Sequence, residues 1–183
     1  MNTKILAAAL GLSMMIGSAA MAASNPMVGG AAMLPTKNII DNAVNSKDHT
    51  TLVAAVQAAG LVDTLKGTGP FTVFAPTNAA FDALPKGTVD TLLKPENKGM
   101  LPAVLTYHVV PGTLTAADLA ASAKANGGKA VLTTVQGAKL TVWGKDGKWY
   151  VTDAKGGQAQ ITIADVKQSN GVIHVVDSVL LPG

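Results

Sequence analysis

The sequence predicts an α+β fold with a largely antiparallel or mixed sheet. Helix-period segments fill the first half, up to about Tyr107. Short β-rich runs crowd the region after Gly127-Gly128. Alternating strand–helix units are missing, and one strand, Phe71 to Ala75, is embedded early. Helices followed by strands is the signature of an α+β domain and not of a doubly wound one.

Thr36 is placed to cap a helix from about Lys37 to Val44, with Ile39, Ile40, Ala43 and Val44 on one face. Thr50 or Thr51 opens a second helix with Leu52, Val53, Val56 and Ala59 as its apolar stripe, ended by Gly60. Leu61 to Leu65 and Val89 to Leu93 read as short helical turns. Phe71 to Ala75 is a strand entered through Gly69-Pro70 and stopped by Pro76. Both of its faces are largely apolar, so it belongs inside the sheet. Thr77 or Asn78 caps the next short helix, which carries Phe81 and Leu84. Asn97 is placed to cap a helix running to Tyr107, with Met100, Leu101, Val104 and Leu105 inward. Pro102 is tolerable in its early turns. Val109-Val110 is a strand ended by Pro111-Gly112, and Thr115 caps a helix through Ala121. Val131–Val135, Leu140–Trp143, Trp149–Thr152, Ile161–Ile163 and Val172–Val176 are the later strands. Asp146-Gly147 is a hairpin turn between two of them.

Residues 1–22 read as a secretory signal peptide. Lys4 is the positive start, Ile5 to Ala20 the apolar segment, and Ala20-Met21-Ala22 the small-x-small cleavage site. A spanning helix needs a longer apolar run, so the expected product is exported, periplasmic or extracellular, with no membrane insertion after cleavage. Residues 23–35 are Met-rich and aperiodic, and are expected to form a flexible N-terminal lead. Residues 36–183 suit one domain. The chain has no cysteine, so neither a lipid-bearing Cys nor a disulfide framework is expected. All 14 basic residues are Lys, and the formal net charge is +3, of which Lys4 leaves with the leader. With no Arg, no basic cluster and few aromatics, nucleic acid is not an expected partner.

Three segments carry the strongest signal: Gly69 to Phe81 with Thr72-Val73-Phe74-Ala75-Pro76-Thr77-Asn78, Leu105 to Gly112 with Tyr107-His108, and Asn170 to Pro182 with His174 and Asp177. In order and spacing they resemble one complete copy of the fasciclin, or FAS1, domain. The resemblance implies a compact β-sandwich or wedge with N-terminal and flanking helices, of the kind carried by small secreted bacterial proteins. It also implies cell adhesion or binding to a matrix or surface partner, protein or polysaccharide. The tyrosine–histidine segment is implicated in integrin adhesion in animal members of the family. Leu105, Tyr107, His108 and Val109 are therefore the candidate partner-binding residues.

A neutral His donates from one ring nitrogen and accepts at the other, so His108 suits a structural pin at a helix-to-strand junction. Tyr107 is expected to be partly exposed and is the better contact. Thr77, Asn78, His174 and Asp177 read as structural: the first two as a capped turn, the last two as polar residues tying the final strand. A buried Asp177 would need donors. An Asp–His catalytic pair is disfavoured because no G-x-S-x-G elbow supplies a nucleophile. His49, His108 and His174 are too scattered, without Cys or an H-E-x-x-H motif, to suggest a metal site, and no cofactor is expected. The function expected is a non-enzymatic secreted binding module. The alternative is a periplasmic module for a small ligand or polysaccharide, with a pocket near Tyr107. The oligomeric state is left open.

Overall fold

In a computed structural model, residues 25–97 and 99–183 are described. The signal-peptide reading therefore lies outside the described residues. Residues 25–35 do not behave as a flexible lead. Met27–Val28 (β1) and Ala31–Ala32 (β2) pair as a hairpin across Gly29 and Gly30, both at positive φ. Val28 and Met33 are buried in the main core. Met33 N–H donates to Pro26 O (2.9 Å) and Lys47 N–H to Gly29 O (3.2 Å). One buried side chain on each side of a two-glycine turn leaves no periodic pattern, but it anchors the segment, and the fold starts before Thr36.

The helical layer follows: Ile39–Ala43 (α1), Thr50–Ala58 (α2), Val62–Lys66 (α3), Asn78–Asp82 (α4), Thr88–Leu93 (α5) and Met100–Tyr107 (α6). Asn38, not Thr36, caps α1, its side chain accepting from Asp41 N–H. Two expected core positions are on the surface: Val44 is 53% and Met100 57% exposed. Val44 lies one residue past a short helix, and Met100 opens α6 above the turn that Leu101, Val104 and Leu105 bury.

Seven strands form one mixed sheet: Phe71–Pro76 (β3), Val109–Pro111 (β4), Lys129–Thr133 (β5), Lys139–Lys145 (β6), Lys148–Thr152 (β7), Gln158–Gln168 (β8) and Gly171–Val176 (β9). Their order is β4-β3-β9-β8-β7-β6-β5. Only the β3–β9 pair is parallel among these neighbours. Two register shifts break β8, and Asp165 there takes φ 58°. Bulges of this kind bend a strand and increase its twist. The sheet curls far enough that Val135, just past β5, donates its N–H to Val109 O of β4 (2.8 Å).

The curl creates two cores, and strand alternation feeds both. Val73, Ala75, Ile173 and Val175 pack against α1, α2 and α6. Phe74, Val176, Tyr107, Leu140, Val142, Val151 and Leu180 fill the second core. The helix Ala116–Ala125 (α7) covers that core with Leu119 and Ala123. A Thr115–Asp118 capping box starts α7, an arrangement that contributes about 1 kcal/mol. Ala116 N–H also donates to Asp165 Oδ1 (2.7 Å), joining the helix to the β8 bulge.

The final segment is tied in by Asn170. Its Oδ1 accepts from Ile39 N–H (3.1 Å), and its Nδ2 donates to Leu65 O (2.7 Å) and Gly67 O (2.8 Å). Its own carbonyl accepts from Phe71 N–H (3.0 Å). Gly171 follows because a Cβ there would collide with the Phe71 backbone.

Candidate functional site: a buried junction and an exposed aromatic face

The four residues singled out for partner binding form a buried junction. Leu105, Tyr107, His108 and Val109 are 4%, 0%, 2% and 5% exposed. The chain passes here from α6 to β4 between the two cores, so Leu105 and Val109 fill one and Tyr107 the other. The Tyr107 hydroxyl donates to Lys139 O (2.8 Å) and accepts from Ala154 N–H (2.8 Å). It bolts α6 to the start of β6 and to the turn after β7, and burial raises its pKa. The expected partial exposure of Tyr107 is thus corrected. In this conformation none of the four offers a surface to a partner; Leu105, His108 and Val109 line an apolar cavity of about 40 Å³ inside the core.

His108 is the pin of that junction. Its Nδ1–H donates to Val104 O (2.7 Å) and its Nε2 accepts from Leu180 N–H (2.9 Å). A backbone carbonyl on one side and an amide on the other require the neutral ring. Loss of water around it holds its pKa down at about 4. His174 follows the same logic. Its Nε2–H donates to Leu114 O (2.8 Å), its Nδ1 accepts from Asp165 N–H (3.3 Å), and its ring stacks on Phe74 with centroids 5.6 Å apart. Burial lowers its pKa too.

Asp177 is exposed, which corrects its expected burial, while it does accept from a backbone amide and a hydroxyl. Its Oδ1 accepts from Gln160 N–H (2.8 Å) and from the Ser178 hydroxyl (3.2 Å), across the β8–β9 end. His174 has both ring nitrogens committed to backbone, so it forms no Asp–His relay with Asp177. Thr77 caps α4 by accepting from Ala80 N–H (3.3 Å). Asn78 reaches away from its own helix, accepting from Thr51 N–H (3.0 Å) and donating to Lys47 O (2.8 Å). His49 bonds Ser46 Oγ through Nδ1 (2.9 Å) and lines an apolar cavity of about 40 Å³ with Met33, Leu52 and Val73. A space of that size holds little more than a water.

An open surface bearing aromatic side chains lies elsewhere, on the outward face of β5 to β8. Register places Lys129, Trp143, Tyr150 and Gln160 in one row across the four strands. Val131, Thr141, Thr152 and Gln158 form the next row. Trp143 and Tyr150 stack with centroids 4.9 Å apart and planes 24° from parallel. Trp143 Nε1–H donates to Thr152 Oγ1 (2.9 Å), which holds the indole on the sheet. A depression of about 350 Å³ lies beside the indole, lined by Lys129, Thr141, Thr152 and Gln158. The sequence carried one signal of this face: Thr141 and Trp143 alternate with Leu140 and Val142, and the latter pair is fully buried. Strand periodicity therefore sends the indole outward; its pairing with Tyr150 needs the register.

The Fasciclin domain family matches residues 47–182. The chain belongs to the fasciclin family. It is similar to protein sll1483 of Synechocystis sp., at 49% identity over 85% of this chain and 79% of that protein. It is also similar to immunogenic protein MPB70 of Mycobacterium bovis, at 36% identity over 91% of this chain and 80% of the relative. A solved FAS1 domain pair from the insect cell adhesion molecule fasciclin I superposes with a TM-score of 0.71. That likeness covers 79% of this chain and 51% of the insect chain at 18% identity, and it shows the fold.

The fasciclin boxes read in the sequence thus occupy the structural heart of the domain: β3 and α4, the α6–β4 junction, and β9. Among the described residues, no group of three or more His, Cys, Asp or Glu gathers as a metal site would require. No described helix is long and apolar enough to cross a membrane.

Proposed function

We propose that this fasciclin chain is an exported, non-enzymatic module that binds a cell surface or extracellular matrix. Membership in the fasciclin family carries the reading. One relative, 37% identical over 91% of this chain and 70% of its own length, is the cell surface glycolipoprotein MPB83 of Mycobacterium bovis. The fold is shared with a solved FAS1 domain pair of an insect cell adhesion molecule, about half of which this chain covers. The site chemistry supports binding over turnover: His108 and His174 spend both ring nitrogens on backbone groups, leaving neither to act as a general base. The signal-peptide pattern of residues 1–22 supports export. A single domain links two surfaces only through a second site or a second copy, so the module coats one surface unless it assembles.

The test is a partition experiment. Labelled chain 23–183 is mixed with intact cells, isolated envelope and matrix fractions of a bacterial host. Saturable retention supports the reading, and a chain that stays wholly in the supernatant refutes it. The second reading, a periplasmic module for a small ligand or polysaccharide, is favoured by the stacked Trp143–Tyr150 pair on an open sheet face. It moves the binding surface from the Tyr107 junction to the outward face of the sheet.

A further inference from the structure

We propose that the outward face of β5 to β8 binds an acidic polysaccharide, a carboxylate-bearing sugar polymer, along the row Lys129–Trp143–Tyr150–Gln160. The proposal rests on the surface-binding reading and gives it a place and a chemistry.

Two half-exposed aromatic rings stack at the centre of the row. In a monomeric soluble domain such rings are normally buried for their apolar area. Here the indole N–H is already spent on Thr152, so the ring plane is fixed before any ligand arrives. A fixed flat ring suits the flat C–H face of a pyranose, and the fixed geometry lowers the ordering cost of binding.

The flanking groups supply the polar half of a sugar site. Gln158, Gln160, Thr141 and Lys129 line the row and the adjacent depression with donors and acceptors for hydroxyl groups. Few well-placed polar groups around an apolar floor is the usual composition of a small-molecule site. The face is also long. Four strands about 4.8 Å apart give a row of about 14 Å, which a polymer fills and a single metabolite does not.

Charge selects the polymer. Lys129, Lys139, Lys145 and Lys148 all lie on these strands and are exposed. No Asp or Glu occurs within β5, β6, β7 or β8 up to Ala164. Asp146 sits in the β6–β7 turn, and Asp177 beside Gln160 is engaged by Gln160 N–H and Ser178. The face therefore carries four lysines against two carboxylates at its margins, an excess of positive charge that raises the local concentration of a polyanion at moderate salt.

The experiment titrates chain 23–183 with alginate as the polyuronate, dextran as the neutral polymer and single-stranded DNA as the charge control, reading tryptophan fluorescence and calorimetry. Trp149→Phe removes the other indole and leaves Trp143 as the reporter. Saturable alginate binding, stronger than to dextran or DNA, is expected, and should weaken as salt rises. Tyr150→Ala and Trp143→Ala should each weaken alginate binding about tenfold, and Trp143→Tyr should restore most of it. Because Trp143→Ala also cuts the Thr152 bond, Lys129→Gln and Lys148→Gln provide a test that leaves the aromatic pair intact. Each should weaken binding several-fold at low salt and have no effect at 1 M salt. The proposal is overturned by absent alginate binding, by equal binding to DNA, by Trp143→Ala binding as wild type, or by self-association of the face in size exclusion without alginate uptake. Retention on envelope fractions with no alginate binding sinks this proposal and spares the surface-binding reading; loss of both sinks the two together.

Discussion

Lowering the pH from 7.5 to 5 is expected to destabilise the domain by about 2 kcal/mol through His108 alone. The folded structure needs the neutral ring. Nδ1–H faces Val104 O and the bare Nε2 faces Leu180 N–H, so a second ring proton would set donor against donor in a dry core. His108 is 2% exposed, and burial moves its pKa from 6.5 to about 4. The unfolded chain takes up the proton as the pH falls through about 6.5. The folded chain takes it up only near 4. Stability is therefore fully present above about pH 7.5 and declines between 6.5 and 4. One pKa unit corresponds to about 1.4 kcal/mol, so the loss is about 2 kcal/mol at pH 5 and approaches roughly 3 kcal/mol near pH 4. His174 and His49, whose pKa values are also lowered by burial, push in the same direction. The assay is urea unfolding at half-unit pH steps, kept above the range where carboxylates titrate, with the imidazole proton resonances followed by NMR. His108→Gln should flatten the pH dependence by about 2 kcal/mol between 7.5 and 5, whatever its own cost in stability. A flat wild-type profile over that range, or a His108 resonance that titrates near 6.5 in the folded protein, would refute the reasoning.

Tyr107→Phe should cost about 1–3 kcal/mol, because Lys139 O and Ala154 N–H lose a buried partner while the ring still fits; unchanged urea unfolding would show that the hydroxyl bonds contribute nothing. Asn170→Ala should cost about 3 kcal/mol or more, since it strands Ile39 N–H, Leu65 O and Gly67 O together. A loss below about 1 kcal/mol in the same measurement would remove Asn170 from its place as the tie between α1, α3 and β9. Asp177→Ala should cost less than about 1 kcal/mol, because the side chain is exposed and water replaces it at Gln160 N–H. A larger shift in thermal unfolding would mean that the β8–β9 end is more tightly closed than its exposure implies.

The order of helices and strands, the hairpin at Asp146-Gly147, the Thr115 cap and the family were all legible in the chain. Each is local chemistry: a residue at φ 52° or 75°, a hydroxyl reaching an amide three residues on, a fixed run of side chains. The three boxes identify the family by their residues and order, and most of their apolar residues are buried. Tyr107 illustrates the limit. Its neighbours Leu105, His108 and Val109 gave no sign of which core each would enter, since a helix-to-strand junction has neither a 3.6 nor a 2.0 period to follow. The N-terminal hairpin is similar: Val28 and Met33 are too few to show a pattern, and only the helices they pack against bury them.

By itself, the sequence determined the α+β class, the fasciclin family and the local turns and caps, because these depend on residues close in the chain. The tertiary structure decided which polar residues are buried and which surface is open. It buried Tyr107 beside His108 in the α6–β4 junction, brought Asp177 to the surface, and aligned Trp143 with Tyr150. Those outcomes depend on strand register and on the curl of the sheet at the β8 bulges. Both are set by contacts between residues distant in sequence, which no local pattern encodes.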